Sequence, residues 1–223
     1  MGRLELAVAN LKAEQKASII KPSQWLADFA TEIQPRKISL GQIIVCPPFP
    51  FLKDWQDAIK SSGLPIVLGA QDVSIRPPGK FTGEVTAEML RGLGVQSVII
   101  AHSERRALGE TLAIFRKKVE RVLMTGLDLI YCIPNPRAII PQGVTTIAYE
   151  PIDKIGGSTP DDPETVEKIA ASLQKRTGAR ILYGGGVKPD NIGRFKLPHV
   201  RGFIVGGSSL EGKEFGQLVR NAP

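Results

Sequence analysis

The sequence predicts an α/β fold, a closed (β/α)8 barrel, from three observations. Eight short runs of β-branched and apolar residues recur along the chain, at 4–10, 42–47, 65–70, 97–102, 127–133, 145–150, 180–185 and 202–207. Several runs are almost continuously apolar, as expected of parallel strands that are buried on both faces. Stretches with helical apolar spacing lie between them. Eight such alternations in 223 residues favour a closed barrel over the alternative, an open doubly wound sheet.

The segments between the runs predict helices at 22–33, 111–126 and 161–176. Pro163 near the start of the last helix and Gly126 past the end of the second are ordinary helix boundaries. The connection after the fifth run is short and contains Pro136 and Pro141, so a full crossover helix does not fit there. We therefore expect helix five to be shortened or missing, with a short helical turn at 137–140. No linker stands out, and residues 1–223 are predicted to form a single domain.

Composition and charge argue against several classes of protein. Lys and Arg number 29 against 22 Asp and Glu, a net charge of +7, but the basic residues are scattered and do not alternate with aromatic residues. This pattern favours a solvated surface over a nucleic-acid site, and its field would attract a small anion. No apolar run approaches the ~18–20 residues that span a bilayer. We expect a cytoplasmic protein with no membrane or nucleic-acid partner.

The cysteines and histidines are too few for a disulfide scaffold or a metal centre. Cys46 and Cys132 both lie inside β-like runs, where a small buried apolar side chain is the favoured interpretation. His102 and His199 are the only histidines, and no cluster of metal-ligand type surrounds either in the sequence. No metal or organic cofactor is expected.

The residues that end the predicted strands indicate where chemistry would occur. These are Asn10, Lys12, Gln71, His102, Glu104, Glu150, and the glycines at 184–186 and 206–207. In a parallel barrel the carboxyl ends of the strands meet at one rim, and glycine turns after strands seven and eight suit a phosphate group. Each signal alone is weak, because a lone histidine is more often structural and a glycine run is mostly a turn. Together they predict an active site for a phosphorylated small molecule.

Seven motifs carry a resemblance to a known family. In chain order they are VANLK (8–12), GAQDV (69–73), KFTGEVTAEML (80–90), IIAHSERRALGE (99–110), AYEPIDKIGG (148–157), YGGGVKPDNI (183–192) and GFIVGGSSL (202–210). The chain resembles the triosephosphate isomerase family, whose fold is the TIM barrel. The resemblance implies interconversion of dihydroxyacetone phosphate and D-glyceraldehyde 3-phosphate through an enediolate, in glycolysis and gluconeogenesis. Another phosphate-binding barrel enzyme, or a degenerate barrel kept as a binding or structural protein, are the alternatives.

The resemblance also implies the catalytic roles of five residues; the family is itself a well-known example of paired acid–base groups. Glu150 would be the general base, and His102 the neutral electrophile that polarises the carbonyl. Lys12 would place a positive charge beside the developing oxyanion. Asn10 would donate a hydrogen bond to the substrate oxygens. Glu104 would hold Lys12 by an ion pair.

Phosphate binding and a mobile lid follow from the same resemblance. Backbone N–H groups of four glycines would hold the phosphate: Gly156, Gly186, Gly206 and Gly207. The lid would consist of Pro151, Ile152, Asp153, Lys154, Ile155, Gly156, Gly157, Ser158 and Thr159. It would close over the intermediate and prevent elimination of phosphate.

The loop from Gln71 to Glu84 has the length of the segment through which the family dimerises. The resemblance implies a homodimer in which Thr82 reaches the partner's Lys12 and His102. Arg105 would pair with the partner's Thr82 or the partner's Glu84. A mobile surface loop is the alternative, which the FTGE string at 81–84 disfavours.

Four features depart from the family pattern. Gly186 replaces the usual serine that supports the closed lid, and Asp153 replaces the usual lid tryptophan. Pro134 and Asn135 stand where the family has glycine and glutamate after strand five. The fifth helix is cut. None of these changes falls on a reacting group, so we expect conserved chemistry with a differently latched lid.

Overall fold

The computed structural model describes residues 4–12, 20–33, 42–154 and 159–222. All eight predicted strands are present and parallel, and they close into a barrel in chain order, from β1 to β8 and back to β1. The strands are β1 (Leu6–Asn10), β2 (Gln42–Cys46), β3 (Ile66–Ala70), β4 (Ser97–Ile100), β5 (Asp128–Ile133), β6 (Thr146–Tyr149), β7 (Arg180–Tyr183) and β8 (Gly202–Val205). The predicted (β/α)8 barrel is confirmed, whereas the proposal of one domain over 1–223 stays a prediction.

Five of the eight predicted strands extend past the observed carboxyl ends, whereas β1, β3 and β5 end where predicted. Predicted strand 97–102 ends at Ile100 and predicted strand 145–150 ends at Tyr149. Ala101 adopts a left-handed conformation with φ of 63°, which turns the chain out of β4. His102 and Glu150 therefore lie in the loops above the strands rather than within the sheet.

Alternation along the strands divides the apolar side chains into two clusters. Leu6, Val8, Ile44, Cys46, Ile99, Ile130, Cys132, Ala148, Leu182 and Ile204 fill the barrel interior. The residues between them, such as Ala7, Ala9, Ile43 and Val45, face the surrounding helices. Both sides of the sheet are buried, which explains the continuous apolar runs in the sequence.

The described residues form seven α-helices around the barrel: α1 (Pro22–Ile33), α2 (Leu52–Ser62), α3 (Ala87–Gly92), α4 (Ser103–Ala107), α5 (Leu112–Met124), α6 (Pro163–Thr177) and α7 (Gly212–Asn221). The predicted helices at 22–33, 111–126 and 161–176 correspond to α1, α5 and α6. Asp162 caps the start of α6, and its carboxylate accepts hydrogen bonds from the N–H groups of Glu164 and Thr165. Gly178, with φ of 70°, caps its end.

The connection from β5 to β6 contains no helix, which confirms that the helix expected after the fifth strand is missing. This is not α5, which lies between β4 and β5. The expected helical turn at 137–140 is wrong: the chain makes only an isolated turn at 136–137. The Asn135 side chain accepts a hydrogen bond from the N–H of Arg137 at 3.0 Å and closes this turn locally. Pro134, Pro136 and Pro141 lack the N–H groups that a helix would need.

The missing helix leaves a groove on the outside of the barrel. The groove has a volume of about 580 Å³ and lies between α5 and the segment 140–143. Val119, Leu123, Met124, Ile140 and Pro141 supply its apolar lining. Leu123 and Met124 are 43% and 68% exposed, and none of the helices that the structure describes covers this side of α5.

Trp25 and Trp55 pack in an aromatic cluster between the helices and the barrel. Trp25 lies edge-on to Trp55 at 5.3 Å between ring centroids and is stacked on Phe29 at 5.5 Å. A Cβ atom at Gly212 would collide with the carbonyl of Trp25, so glycine permits the close approach of α7 to α1. In the part of the chain that the structure describes, no helix is long and apolar enough to cross a bilayer.

Candidate active site

The inward phase of the strands brings the polar strand ends into the barrel mouth. On β1, Leu6 and Val8 point inward, so Asn10 continues the same phase at the carboxyl end. By the same rule, Glu150 follows Ala148 after β6. Asn10, His102 and Glu150 are all buried there. The structure thus places these three strand-end residues at the mouth of the barrel, as the strand ends in the sequence predict.

Lys12, His102, Glu104 and Glu150 form one connected polar group. The Lys12 Nζ lies 2.8 Å from Glu104 Oε1 and 3.0 Å from His102 Nε2. His102 Nε2 lies 3.3 Å from Glu150 Oε2. Glu104 is mostly exposed, with 62% of its side chain accessible, whereas Lys12 is only 13% accessible. The ion pair thus holds the lysine from the solvent side and directs its charge into the site.

The hydrogen bonds of His102 assign its tautomer. His102 caps the start of α4, and its Nδ1 accepts the backbone N–H of Glu104 at 3.2 Å. A nitrogen that accepts a hydrogen bond carries no proton, so the proton of the neutral ring lies on Nε2. The Nε2–H group then points into the site, where Glu150 is its acceptor. Lys12 is also a donor, so with this tautomer its approach to Nε2 is a close contact and not a hydrogen bond. His102 can therefore donate a hydrogen bond to a substrate oxygen.

The environment of Glu150 acts on its carboxylate in opposite directions. Burial raises the pKa, but the hydrogen bond from His102, the contact with the Cys132 thiol and the charge of Lys12 outweigh it. The net effect is a pKa below the ordinary glutamate value. Oε1 of the same carboxylate is buried and has no hydrogen-bond partner. Glu150 is thus held as a carboxylate at the mouth of the barrel, where it can act as a base.

Two glycines make room for these side chains. A Cβ atom at Gly206 would lie 2.9 Å from Cε of Lys12, so the lysine passes over the bare backbone of this residue. A Cβ at Gly184 would lie 2.8 Å from Cγ of Glu150 and would collide with Ile204. At Gly207 a Cβ would meet nothing within 4 Å. The glycines after β7 and β8 therefore serve the placement of Lys12 and Glu150, in addition to any role toward a phosphate.

Gly186 lies against the stem of the predicted lid. It has a φ of 60°, and a Cβ there would come within 3.0 Å of the backbone of Thr159 and Pro160. Asn191 holds the Gly186 turn by donating to its carbonyl at 3.0 Å. On the same side, the hydroxyl of Tyr183 accepts the N–H of Asp161 at 2.9 Å.

Only part of the predicted lid is described. Ile152–Lys154 form one turn of 3₁₀ helix, which contains Asp153, and Pro151 is buried. Ile155, Gly156, Gly157 and Ser158 lie outside the described residues. Lys154 Nζ lies 3.7 Å from Asp161 Oδ1, so an ion pair links the two sides of the lid stem.

Most of the predicted dimer loop is exposed. Residues 76–84, which include Thr82 and Glu84, form a continuous exposed stretch. Glu84 is bonded to the Ser74 hydroxyl at the base of the loop. Arg105 is bound within its own chain, to Glu110 and, at 3.1 Å, to Asp72. Its predicted contact with a partner subunit therefore competes with two internal carboxylates.

Three further residues shape the site: Gln71, predicted only as a strand-end residue and the start of the dimer loop, and Arg106 and Cys132, for which the sequence analysis predicted no role in the site. Gln71 donates from its side-chain amide to the carbonyls of Leu11 and Cys46, and so supports the turn that carries Lys12. Arg106 donates to two carbonyls beside His102 and Glu150. The alternation of side chains along β5 could have predicted that Cys132 points into the barrel, since it lies two residues after the inward-facing Ile130. For Arg106 the sequence holds no comparable signal.

No group of three or more His, Cys, Asp or Glu side chains is arranged to hold a metal ion within residues 4–12, 20–33, 42–154 and 159–222. A closed parallel barrel with a carboxylate, an imidazole and a lysine at the carboxyl ends of its strands defines a (β/α)8-barrel enzyme of the acid–base type.

Comparisons with known proteins identify the family. The family model described as triosephosphate isomerase matches residues 5–222. Triosephosphate isomerase of Carboxydothermus hydrogenoformans is 36% identical over 84% of this chain and 88% of that protein. The enzyme of Roseiflexus castenholzii is 38% identical over 80% and 83%. The crystal structure of triosephosphate isomerase from Bartonella henselae aligns with a TM-score of 0.81 at 27% identity, over 97% of this chain and 98% of that one. The chain belongs to the triosephosphate isomerase family, and the predicted family and isomerase class are confirmed.

Proposed function

We propose that the chain interconverts dihydroxyacetone phosphate and D-glyceraldehyde 3-phosphate, in glycolysis and gluconeogenesis. The contact that supports this most directly is His102 Nε2 to Glu150 Oε2 at 3.3 Å, with Lys12 Nζ at 3.0 Å from the same ring nitrogen. A base, a hydrogen-bond donor and a fixed cation within reach of one substrate are what a proton transfer between adjacent carbons requires.

Glu150 removes a proton from C1 of dihydroxyacetone phosphate and returns it to C2. The carboxylate of Glu150 takes this proton, since His102, Cys132 and Lys12 keep it anionic despite its burial. The intermediate is an enediolate whose negative charge lies on the substrate oxygens. Burial of the carboxylate keeps competing water away from the carbanion-like carbon.

His102 and Lys12 stabilise the charge that develops. The Nε2–H of His102 donates to the substrate carbonyl and, by giving and regaining its proton, moves a proton between the two oxygens. Lys12, held by Glu104 at 2.8 Å, supplies a positive charge beside the enediolate and the phosphate. Asn10 adds a hydrogen-bond donor from the end of β1.

Phosphate binding is assigned to backbone N–H groups after β7 and β8 and in the lid. Gly186, Gly206 and Gly207 are the described members, and Gly156 completes the proposed set. Pro151–Thr159 acts as the lid that prevents phosphate elimination. We also infer a homodimer formed through Gln71–Glu84 and a cytoplasmic location, where glycolytic interconversion takes place.

The test is a coupled assay of D-glyceraldehyde 3-phosphate conversion, run beside Glu150→Gln. The amide keeps the shape of the side chain but cannot accept the proton, so we expect the variant to lose about 10²- to 10⁴-fold in kcat. Exchange of one carbon-bound hydrogen of dihydroxyacetone phosphate in D2O, followed by proton NMR, should disappear in parallel. An inactive folded wild-type chain would contradict the proposed reaction, and an active Glu150→Gln would contradict the assignment of the base.

A further inference from the structure

The turn between β4 and His102 contains a strained residue. Ala101 is the only non-glycine residue with a positive φ in the described parts of the chain, and it is 1% exposed. A left-handed alanine is disfavoured because its Cβ crowds the backbone, and such a conformation persists only where its surroundings hold it. Ala101 directly precedes His102, so whatever holds this peptide also sets the position of the imidazole.

Arg106 holds this peptide. Its Nε donates to the carbonyl of Ala101 at 2.9 Å, and its Nη2 donates to the carbonyl of Cys132 at 2.9 Å. The guanidinium carbon lies 4.6 Å from the centroid of the Phe115 ring and 6.0 Å from that of Tyr131. The rigid, planar fork of an arginine can bond two carbonyls in one plane while it stacks on an aromatic face, which a lysine cannot do.

One carbonyl belongs to the peptide that carries His102, and the other lies one residue before the carbonyl that holds the backbone of Glu150. The Ala101 peptide leads into His102. Cys132 is followed by Ile133, whose carbonyl accepts the backbone N–H of Glu150 at 2.9 Å. One guanidinium thus connects the end of β4, which leads into His102, to the end of β5. The backbone N–H of Glu150 is hydrogen-bonded to that end of β5.

We propose that Arg106 is a positioning residue that sets the separation of His102 and Glu150 by tying the ends of β4 and β5 together. The proposal rests on the roles of His102 and Glu150 given above. Arg106 acts through the backbone: its hydrogen bonds go to the two carbonyls, and its flat face packs on the aromatic rings.

The first experiment is Arg106→Ala, assayed with and without guanidinium ion at a concentration that does not denature the protein. We expect kcat to fall by up to about 10²-fold, since a misplacement near 1 Å has that effect, while KM changes little. Added guanidinium should restore part of kcat by occupying the vacated space. Arg106→Lys should remain impaired and should not respond to guanidinium, because its side chain fills part of that space.

The second readout does not depend on activity. The chain has only two histidines, so nitrogen-15 NMR of the imidazoles, assigned with His199→Asn, reports His102 directly. In the wild type, Nδ1 should give the signal of an unprotonated acceptor and Nε2 that of a protonated nitrogen. In Arg106→Ala the His102 signals should shift or broaden and should return toward wild type with guanidinium.

Arg121→Ala is the matched control. Arg121 is also largely buried, with 15% of its side chain exposed, but it pairs with Glu88 near the far end of α5. It should lose stability without a change in kcat, in the His102 signals or in the response to guanidinium. If Arg106→Ala folds poorly, Ala101→Gly/Arg106→Ala replaces it, because glycine removes the strain that the arginine holds.

Wild-type kcat together with unchanged His102 signals in Arg106→Ala would overturn the proposal. So would a loss of kcat that matches only the unfolded fraction and does not respond to guanidinium. An inactive wild-type chain would contradict the proposed function instead, and the NMR experiment would still decide whether Arg106 positions His102.

Discussion

At the scale of single residues, the charge of Glu150 is set by neighbours from three separate strand ends. His102 follows β4, Cys132 lies in β5 and Lys12 follows β1, and all three lower the pKa against the effect of burial. The folded protein therefore binds fewer protons at this site than the unfolded chain does, over the range between the two pKa values. The unfolded value is about 4.3.

This difference predicts a contribution to stability that depends on pH. Because the folded pKa is lowered, the contribution is fully present above about pH 4.3 and is lost as the pH falls through the folded pKa. The free energies of unfolding of the wild type and Glu150→Gln, measured in urea at several pH values, should converge or cross as the solution becomes acidic. Curves that stay parallel through the acid range would show that the pKa is not lowered.

At the scale of elements, Gly186 couples the β7 turn to the lid stem. The family's usual serine would require a left-handed residue here, at a cost of about 1–2 kcal/mol. Its Cβ would also lie within 3.0 Å of backbone atoms of Thr159 and Pro160. The backbone of Thr159 and Pro160 thus passes close to Gly186 because this residue has no side chain. A serine here would push the lid stem away, which is a physical reason to expect that the lid closes differently from that of the family pattern.

We predict that Gly186→Ser destabilises the protein more than Gly178→Ser does. Gly178 also has a positive φ, of 70°, but its Cβ would meet nothing within 4 Å, so it isolates the backbone cost from the crowding. Urea unfolding of the two variants measures the difference. Gly186→Ser should also alter the affinity for an enediolate-like inhibitor. Equal losses of stability with unchanged inhibitor binding would refute the coupling.

A buried charge network joins α5 to the loop after β3. Lys118 is 4% exposed, and its Nζ contacts both carboxylate oxygens of Asp72, at 2.6 and 2.8 Å, and both of Glu110, at 2.7 and 2.8 Å. Helical spacing places Lys118 on the same face as Phe115 and Val122, which are buried. Asp72 lies at the base of the predicted dimer loop, so the network also anchors that loop.

Lys118→Met should reduce the free energy of unfolding by about 1–3 kcal/mol, because two largely buried carboxylates lose one of their two cations and keep only Arg105. Lys117→Met is the control, since Lys117 is the exposed neighbour on the same helix. Surface changes of that kind usually stay within about 0.5 kcal/mol. Similar effects of the two substitutions in thermal or urea unfolding would argue against the network.

At the scale of the whole molecule, the exposed loop is the feature that a partner would cover. Phe81 is 39% exposed at its tip, and the guanidinium of Arg76 lies 5.1 Å from the centroid of its ring. Sedimentation should give twice the chain mass of 24.1 kDa. In the proposed dimer, Thr82→Arg would place a second cation near the partner's Lys12, so we expect this variant to sediment as a single chain with reduced activity. Thr82→Ser should keep the dimer mass and the activity of the wild type. A wild type that sediments as one chain would contradict the dimer.

The sequence by itself determined the barrel and the polar residues that end its strands. Apolar runs of strand length alternate with helical spacing because both faces of a parallel sheet are buried, and this local pattern needs no knowledge of contacts. Strand ends such as Asn10 and Glu150 were predictable for the same reason. The prolines after β5 also showed that a full helix is absent, although the short turn expected at 137–140 did not form.

Only the tertiary structure decided how the site is held. The tautomer of His102, the bridge from Arg106 to Ala101 and Cys132, and the pairing of Lys118 with Asp72 and Glu110 join residues from separate turns, strands and loops. A periodic pattern records which face of an element is buried, but not which polar atoms meet across that interface. Those contacts depend on the relative positions of strand ends and loops to within an ångström, and closure of the barrel fixes these positions.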